Sequence, residues 1–141
     1  MEWKSFVLAE RDGKYLLIRE AVKKWEGKWF VPGGKADVNE TPEMAAHREV
    51  WEEAGCRVNL KGIFGIHYRE RLFSKRIIVF YAAEVSDDKE LKRQADRHSL
   101  EARWFGYEEI RKLETRSGLR EIIDMYRKHQ AMPVENLKVI V

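Results

Sequence analysis

The chain has 141 residues, 44% of them hydrophobic and 36% charged, with a net charge of +3. That length and composition suit a single globular domain, 1–141, with a real core, and exclude a disordered or low-complexity chain. One cysteine, Cys56, excludes an internal disulfide and fits a reducing compartment. No apolar run approaches a membrane span and Met1-Glu2-Trp3-Lys4 is not a signal peptide, so a cytoplasmic protein without a membrane partner is expected. The positive charge is spread along the chain. It suits a polyphosphate ligand and argues weakly for nucleic acid, which is not an expected partner.

In chain order, Trp3 to Ala9 reads as a strand. Arg11-Asp12-Gly13-Lys14 is a turn around Asp-Gly, and Tyr15 to Arg19 is the returning strand. Arg19 stands where that strand leaves the core, as a phosphate ligand or a solvated strand end. Ala21 to Lys28 is a polar connector. Trp29-Phe30-Val31 then forms a short strand running into Pro32-Gly33-Gly34, where two glycines let the backbone approach a ligand closely. Trp25 and Trp29 read as packing residues or as faces for a base, and Trp29 is carried forward with Arg19 and Gly33 as a substrate-binding candidate.

Thr41 is a good helix N-cap, Pro42 suits the first helical position, and Gly55 suits the left-handed turn that closes a helix. A helix over Pro42 to Ala54 is expected. Glu49, Glu52 and Glu53 share one stripe of it, and Ala46, Val50 and Ala54 form a small apolar stripe beside them. Like charges at these spacings repel, so three clustered carboxylates suggest a compensating hard cation, Mg²⁺ or Mn²⁺. A solvated acidic face with an Arg48–Glu52 surface pair is the alternative.

Beyond the helix, Arg57 to Leu60 and Gly62 to Arg69 read as two extended segments, with His67 as a structural residue. Glu70 to Lys75 is a charged turn and Arg76 to Val85 a core strand. Ser86 to Ser99 reads as a long surface loop and Leu100 to Phe105 as a strand. Tyr107 to Leu113 and Arg120 to Gln130 read as helices, and Met132 to Val141 as a tail able to add an edge strand to its own sheet or a partner's. Strands mixed with a central helix and C-terminal helices suggest an α/β sandwich.

Gly34, Glu40, Arg48, Glu49, Val50, Glu52, Glu53, Gly55 and Cys56 together match the spacing of the Nudix box. Only Cys56 departs, standing where an aliphatic residue is usual. The chain thus resembles Nudix (MutT-like) hydrolases, metal-dependent enzymes that cleave a pyrophosphate linkage in a nucleoside diphosphate joined to some group X. The resemblance implies an α/β/α sandwich with a mixed β-sheet and a loop–helix–loop box. It implies that Glu49, Glu52, Glu53 and the Gly34 carbonyl hold the metal, that Arg48 orients a glutamate, and that Glu40 is structural near the loop. Glu53 or Glu101 would be the general base. The stretches YLLIREA, GKWFVPGGK and ADRHSLEARWF resemble the branch that hydrolyses oxidised-guanine nucleoside diphosphates, which implies 8-oxo-(d)GDP as substrate. A nucleotide sugar, ADP-ribose, an RNA 5′ end and a non-catalytic nucleotide-binding module are the alternatives. The expected partner is a small-molecule nucleotide, with a homodimer left open.

Overall fold

The computed structural model describes residues 1–129 and the backbone of Met132 and Pro133. Its first hairpin joins β1 (Glu2–Arg11) to β2 (Lys14–Glu20) through Asp12 and Gly13, both with positive φ, as a two-residue turn requires. The two strands pair only at that turn, at Glu10↔Tyr15 and Arg11↔Lys14. They then diverge, and the segment carrying β3 (Trp29–Phe30) and β4 (Gly33–Lys35) enters the gap. There β3 pairs with β2, and β4 pairs with β1 over Lys4–Phe6.

The other edge of β1 runs parallel to β6 (Ser74–Val85), and β6 pairs antiparallel with β5 (Val58–Arg71). β7 (Ser99–Gly106) lines the far edge of β2. The last strand, β8 (Met132–Pro133), pairs with β5 at Gly62 and Ile63. The tail therefore reaches its own sheet over these two residues; the rest of the expected tail, like Gln130, lies outside the described residues. With one parallel junction among antiparallel ones, the sheet is mixed, as expected.

Strand alternation sends side chains to two cores. Val7, Ala9, Leu16, Ile18, Val79 and Tyr81 face α1 (Pro42–Ala54), which presents Ala46, Val50 and Ala54 to them. Phe6, Leu8, Leu17, Phe64 and Phe80 face the opposite side, under Ile110 of α2 (Tyr107–Ile110) and Leu119, Ile122 and Ile123 of α3 (Leu119–Lys128). The result is the expected α/β/α sandwich. The helix expected over Tyr107 to Leu113 is shorter than read, ending at Ile110. The two segments expected on either side of Lys61 are one strand, β5, with register shifts at Leu60/Gly62 and Ile63/Gly65; its glycines mark bulges rather than a break. No helix among the described residues is long and apolar enough to cross a membrane.

Candidate active site

The bounds of α1 coincide with those expected. Thr41 Oγ1 accepts from the Met44 N–H at 3.1 Å, and Gly55 closes the helix with φ of 77°. Small residues on its buried face bring it close to β1 and β4, which points its glutamates at the glycine strand.

Glu53 is 7% exposed, and its Oε1 accepts the Gly33 N–H at 2.7 Å. Burial, with the nearby Glu49 charge, pushes the Glu53 carboxyl well above the usual range, and the Gly33 bond opposes this. Glu49 is raised too, chiefly by burial and against the pull of Arg48. A Cβ on Gly34 would lie 2.6 Å from Glu49 Oε1, so only glycine leaves that carboxylate its place. Glu49 and Glu53, with Gly33 and Gly34, line one cleft of about 400 Å³.

Arg48 places all five of its N–H donors. Nε and Nη2 grip Glu40 at 2.8 and 2.9 Å, and Nη1 donates to Glu49 at 3.0 Å and Glu52 at 3.1 Å. Nη2 also donates to the Lys35 carbonyl at 3.0 Å. The pair with Arg48 holds the Glu40 carboxyl below its ordinary value. Arg48 thus ties the helix to the loop that carries the glycines, and the surface-pair alternative understates it. Glu52 turns toward Arg48 and toward His98 Nδ1 at 3.4 Å.

Among the described residues, no three His, Cys, Asp or Glu side chains converge as a metal cluster. Arg48 bonds both Glu49 and Glu52, and of the three glutamates only Glu49 and Glu53 line the cleft. Two desolvated, mutually repelling carboxylates at the glycine backbone are nonetheless a hard-oxygen donor set suited to Mg²⁺ or Mn²⁺.

Three of the expected site residues stand apart from the lining of this cleft. Trp29 is 9% exposed and packs edge-on against Phe105, with ring centroids 4.7 Å apart, so it has no face for a ligand. Arg19 and Glu101 are cross-strand partners bonded at 3.3 Å. Arg19 also donates to the Gly27 carbonyl, and Glu101 is gripped by Arg103 at 2.6 Å. Neither side chain lines the cleft, because strand pairing turns the two toward each other. Gly33, the third substrate-binding candidate, does line it.

Sequence reasoning missed Lys4, Glu20, Arg97, His98 and Arg116, all of which line the cleft, and left Trp25, which also lines it, open between packing and stacking. Glu20 follows a register shift between Arg19 and Glu20 that turns it inward. It is 7% exposed, and burial raises its carboxyl above the usual range. Arg116 sits over Phe30, Trp25 and Phe6 at 4.5, 5.0 and 5.9 Å. Its N–H donates to the Trp29 carbonyl at 3.1 Å, which fixes its loop on β3. No local pattern around Arg116 could have announced this.

The loop before β7 caps the end of α1. The Lys92 N–H donates to the Ala54 carbonyl at 2.9 Å, Lys92 Nζ to that of Glu52, and Ser99 Oγ to that of Glu53 at 2.6 Å. Groups left unsatisfied at a helix end are thereby met by the segment that brings Arg97 and His98 to the cleft.

The NUDIX domain model matches residues 5–126. The chain belongs to the NUDIX family. It is 33% identical over 98 residues to the human 8-oxo-dGDP phosphatase NUDT18, covering 70% of this chain and 29% of that protein. It is 43% identical over 61 residues to a MutT-like protein of Streptomyces ambofaciens, covering 43% of this chain and 38% of that one. The chain spans about a third of the length of these curated relatives. Among solved structures, a NUDIX hydrolase from Nitrosomonas europaea superposes with a TM-score of 0.84 at 24% identity, covering 99% of this chain and 97% of that one. That likeness supports the fold.

Proposed function

We propose that this chain is a pyrophosphohydrolase that cleaves a nucleoside diphosphate derivative between its phosphates, with 8-oxo-(d)GDP going to the monophosphate. The observation that carries the reading is one cleft lined by carboxylates, cations and an aromatic ring together. Glu49 and Glu53 stand beside Gly33 and Gly34; Lys4, Arg97 and Arg116 supply positive charge for phosphates, and Trp25 an aromatic ring for a base. The name of NUDT18 supports the oxidised-guanine diphosphate over a nucleotide sugar, ADP-ribose or an RNA 5′ end. Retention of every box glutamate argues against a non-catalytic binding module.

Glu49, Glu53 and the Gly34 backbone, joined by Glu52, would hold Mg²⁺ or Mn²⁺. An ion held there would supply charge neutralisation at the phosphates and a water of lowered pKa. The chain's own residues do the rest. Arg48 fixes Glu49 and Glu52 through charge-assisted bonds. Glu53, with its affinity for a proton raised by burial, is suited to take one from the attacking water. Lys4, Arg97 and Arg116 orient the phosphates. The cytoplasm is the expected compartment.

The test is a phosphate-release panel with Mg²⁺ and Mn²⁺, comparing kcat/KM for 8-oxo-dGDP, dGDP, 8-oxo-dGTP, GDP-mannose and ADP-ribose. The reading expects 8-oxo-dGDP to lead. A sugar nucleotide or ADP-ribose ahead of it by about tenfold, a difference of ~1.4 kcal/mol in transition-state binding, would overturn the diphosphate assignment.

A further inference from the structure

Most of β5 has one free side. β8 covers its outer edge only at Gly62 and Ile63; over residues 64–71 no other described strand pairs there. Successive residues of a strand point to opposite faces, so a groove touched by four consecutive ones runs along the backbone itself. Such a groove, of about 520 Å³, is lined by Ile66, His67, Tyr68 and Arg69 with Ile78. The outward N–H and C=O groups of an edge like this are a template for another strand.

The two faces beside the edge differ in chemistry. On the α1 face, Tyr68 continues the row of Trp3 and Ile77, and Ile66 that of Ser5 and Val79. Trp3, Ile66 and Tyr68 are exposed. On the other face stand Arg69, level with Arg76 and Glu2, and Arg71, level with Ser74. Glu2 bonds Arg76 at 2.9 Å, whereas Arg69 and Arg71 are exposed and, among the described residues, have no acidic partner within 4 Å. Glu70 belongs to the α1 face, with Tyr68 and Lys75. An incoming strand therefore meets apolar side chains on one face and unpaired guanidinium groups on the other.

A second copy of this chain does not suit that pattern. Two-fold antiparallel pairing within one sheet sets each face beside itself. Every register centred on residues 67–71 then places His67, Arg69 or Arg71 opposite another of the three or opposite its own copy. Like charges directly opposite one another are destabilising.

We propose that the outer edge of β5 over residues 66–71 docks an extended acidic segment of another protein, which joins the sheet as a strand. Its acidic side chains lie beside Arg69 and Arg71, and its alternate, apolar ones beside Ile66 and Tyr68. Main-chain hydrogen bonds supply the affinity of such strand addition, and the alternating side chains supply its selectivity. None of these residues lines the cleft, so the docked segment is a partner and not a substrate.

The experiment uses the full chain and a fluorescent ten-residue peptide of alternating glutamate and valine. Anisotropy between about 50 and 200 mM salt gives Kd, and amide chemical shifts with hydrogen exchange locate the peptide. The peptide should shift and protect amides within residues 66–71. Lysine in place of its glutamates should raise Kd at least tenfold at low salt. N-methylation of all its amides, which keeps the charge and removes the donors, should do the same. Arg69→Glu/Arg71→Glu, with a melt matching wild type, should reverse the preference and favour the lysine peptide. Equal binding of the glutamate and lysine peptides by the wild type, binding that survives N-methylation, or shifts confined to other residues would overturn the proposal. So would tighter binding of a single-stranded oligonucleotide at the same amides, which would make the edge a phosphate-binding surface. A peptide-free dimer in sedimentation, with the edge amides already protected, would make a second copy the occupant and overturn it too.

Discussion

Gly34→Ala tests the placement of the carboxylates with a single methyl group. Gly34 is not among the glycines with positive φ, so alanine meets no backbone penalty there. The new Cβ would lie 2.6 Å from Glu49 Oε1 and 2.8 Å from its carboxyl carbon, where ordinary contact begins at 3.4 Å. The carboxylate must retreat by about 0.8 Å, and as the end of a flexible side chain it can do so without unfolding the protein. A displacement of about 1 Å at a reacting centre costs on the order of 10²-fold in rate. Gly34→Ala should therefore fold, melt within a few degrees of wild type, and lose about 10²-fold in kcat, with weaker Mg²⁺ dependence. Glu49→Asp in the same background shortens the side chain by one methylene and should recover part of the loss. Gly33→Ala is the contrast, since its Cβ would meet the Ser5 carbonyl and lie 2.7 Å from Phe6 Cα, both main-chain atoms; little folded protein is expected. Melting curves and steady-state kinetics with varied Mg²⁺ decide it. Wild-type kcat and metal dependence in a folded Gly34→Ala would refute the position given to Glu49.

The remaining predictions concern the groups around it. Glu52→Gln should lower kcat by orders of magnitude with the fold intact. Arg48→Ala should lose less activity, recover none with added metal, and cost about 1–3 kcal/mol of stability because three carboxylates lose their common partner; a silent Arg48→Ala would restore the surface-pair reading. Glu53→Gln should stabilise the metal-free protein increasingly as pH rises. Burial holds the folded pKa of Glu53 well above the ordinary carboxylate value, so its contribution is full below that ordinary value and is lost as pH climbs through the folded one. Gln keeps an oxygen for the Gly33 N–H and has no charge to bury, so chelator-treated melts showing no pH-dependent difference would reject this. Ser99→Ala leaves the Glu53 carbonyl without its donor and should cost about 1–3 kcal/mol, with kcat falling as the helix end loosens. An unchanged melt would show the cap to be dispensable.

What the sequence disclosed was what local chemistry decides. The helix Pro42–Ala54 was found to the residue because its cap, its N1 proline and its left-handed glycine all lie within one turn of its ends. Its acidic stripe followed from helical spacing alone. β4 was not read as a strand, since three residues of glycine and lysine carry no periodic signal and pair with β1 only because β2 has moved away. The loop Ser86 to Ser99 read correctly as polar, but its task of capping α1 depends on contacts between residues 38 or more positions apart. Lys4, Glu20 and Arg116 belong to three distant segments and meet only once the sheet has formed.

The same contrast accounts for the glutamates. At about 100° per residue, Glu53 lies roughly 40° from Glu49 around the helix, whereas Glu52 lies roughly 60° away on the other side. One face of the cleft can therefore receive Glu49 and Glu53 together, and Glu52 falls on the flank where Arg48 stands one turn earlier. Helical geometry thus divides the acidic stripe before any ligand arrives. Both members of the pair in the cleft are desolvated, and the Glu49 charge adds to burial in raising the Glu53 carboxyl. The third carboxylate is compensated by Arg48 and adjoins His98 on the loop before β7. Arg48 and His98 both meet Glu52 through Oε2, so a cation at the cleft would engage Oε1 while Arg48 keeps its hold. Glu40 and the Lys35 carbonyl hold Arg48 in turn, which ties the helix to the glycine strand and keeps their spacing.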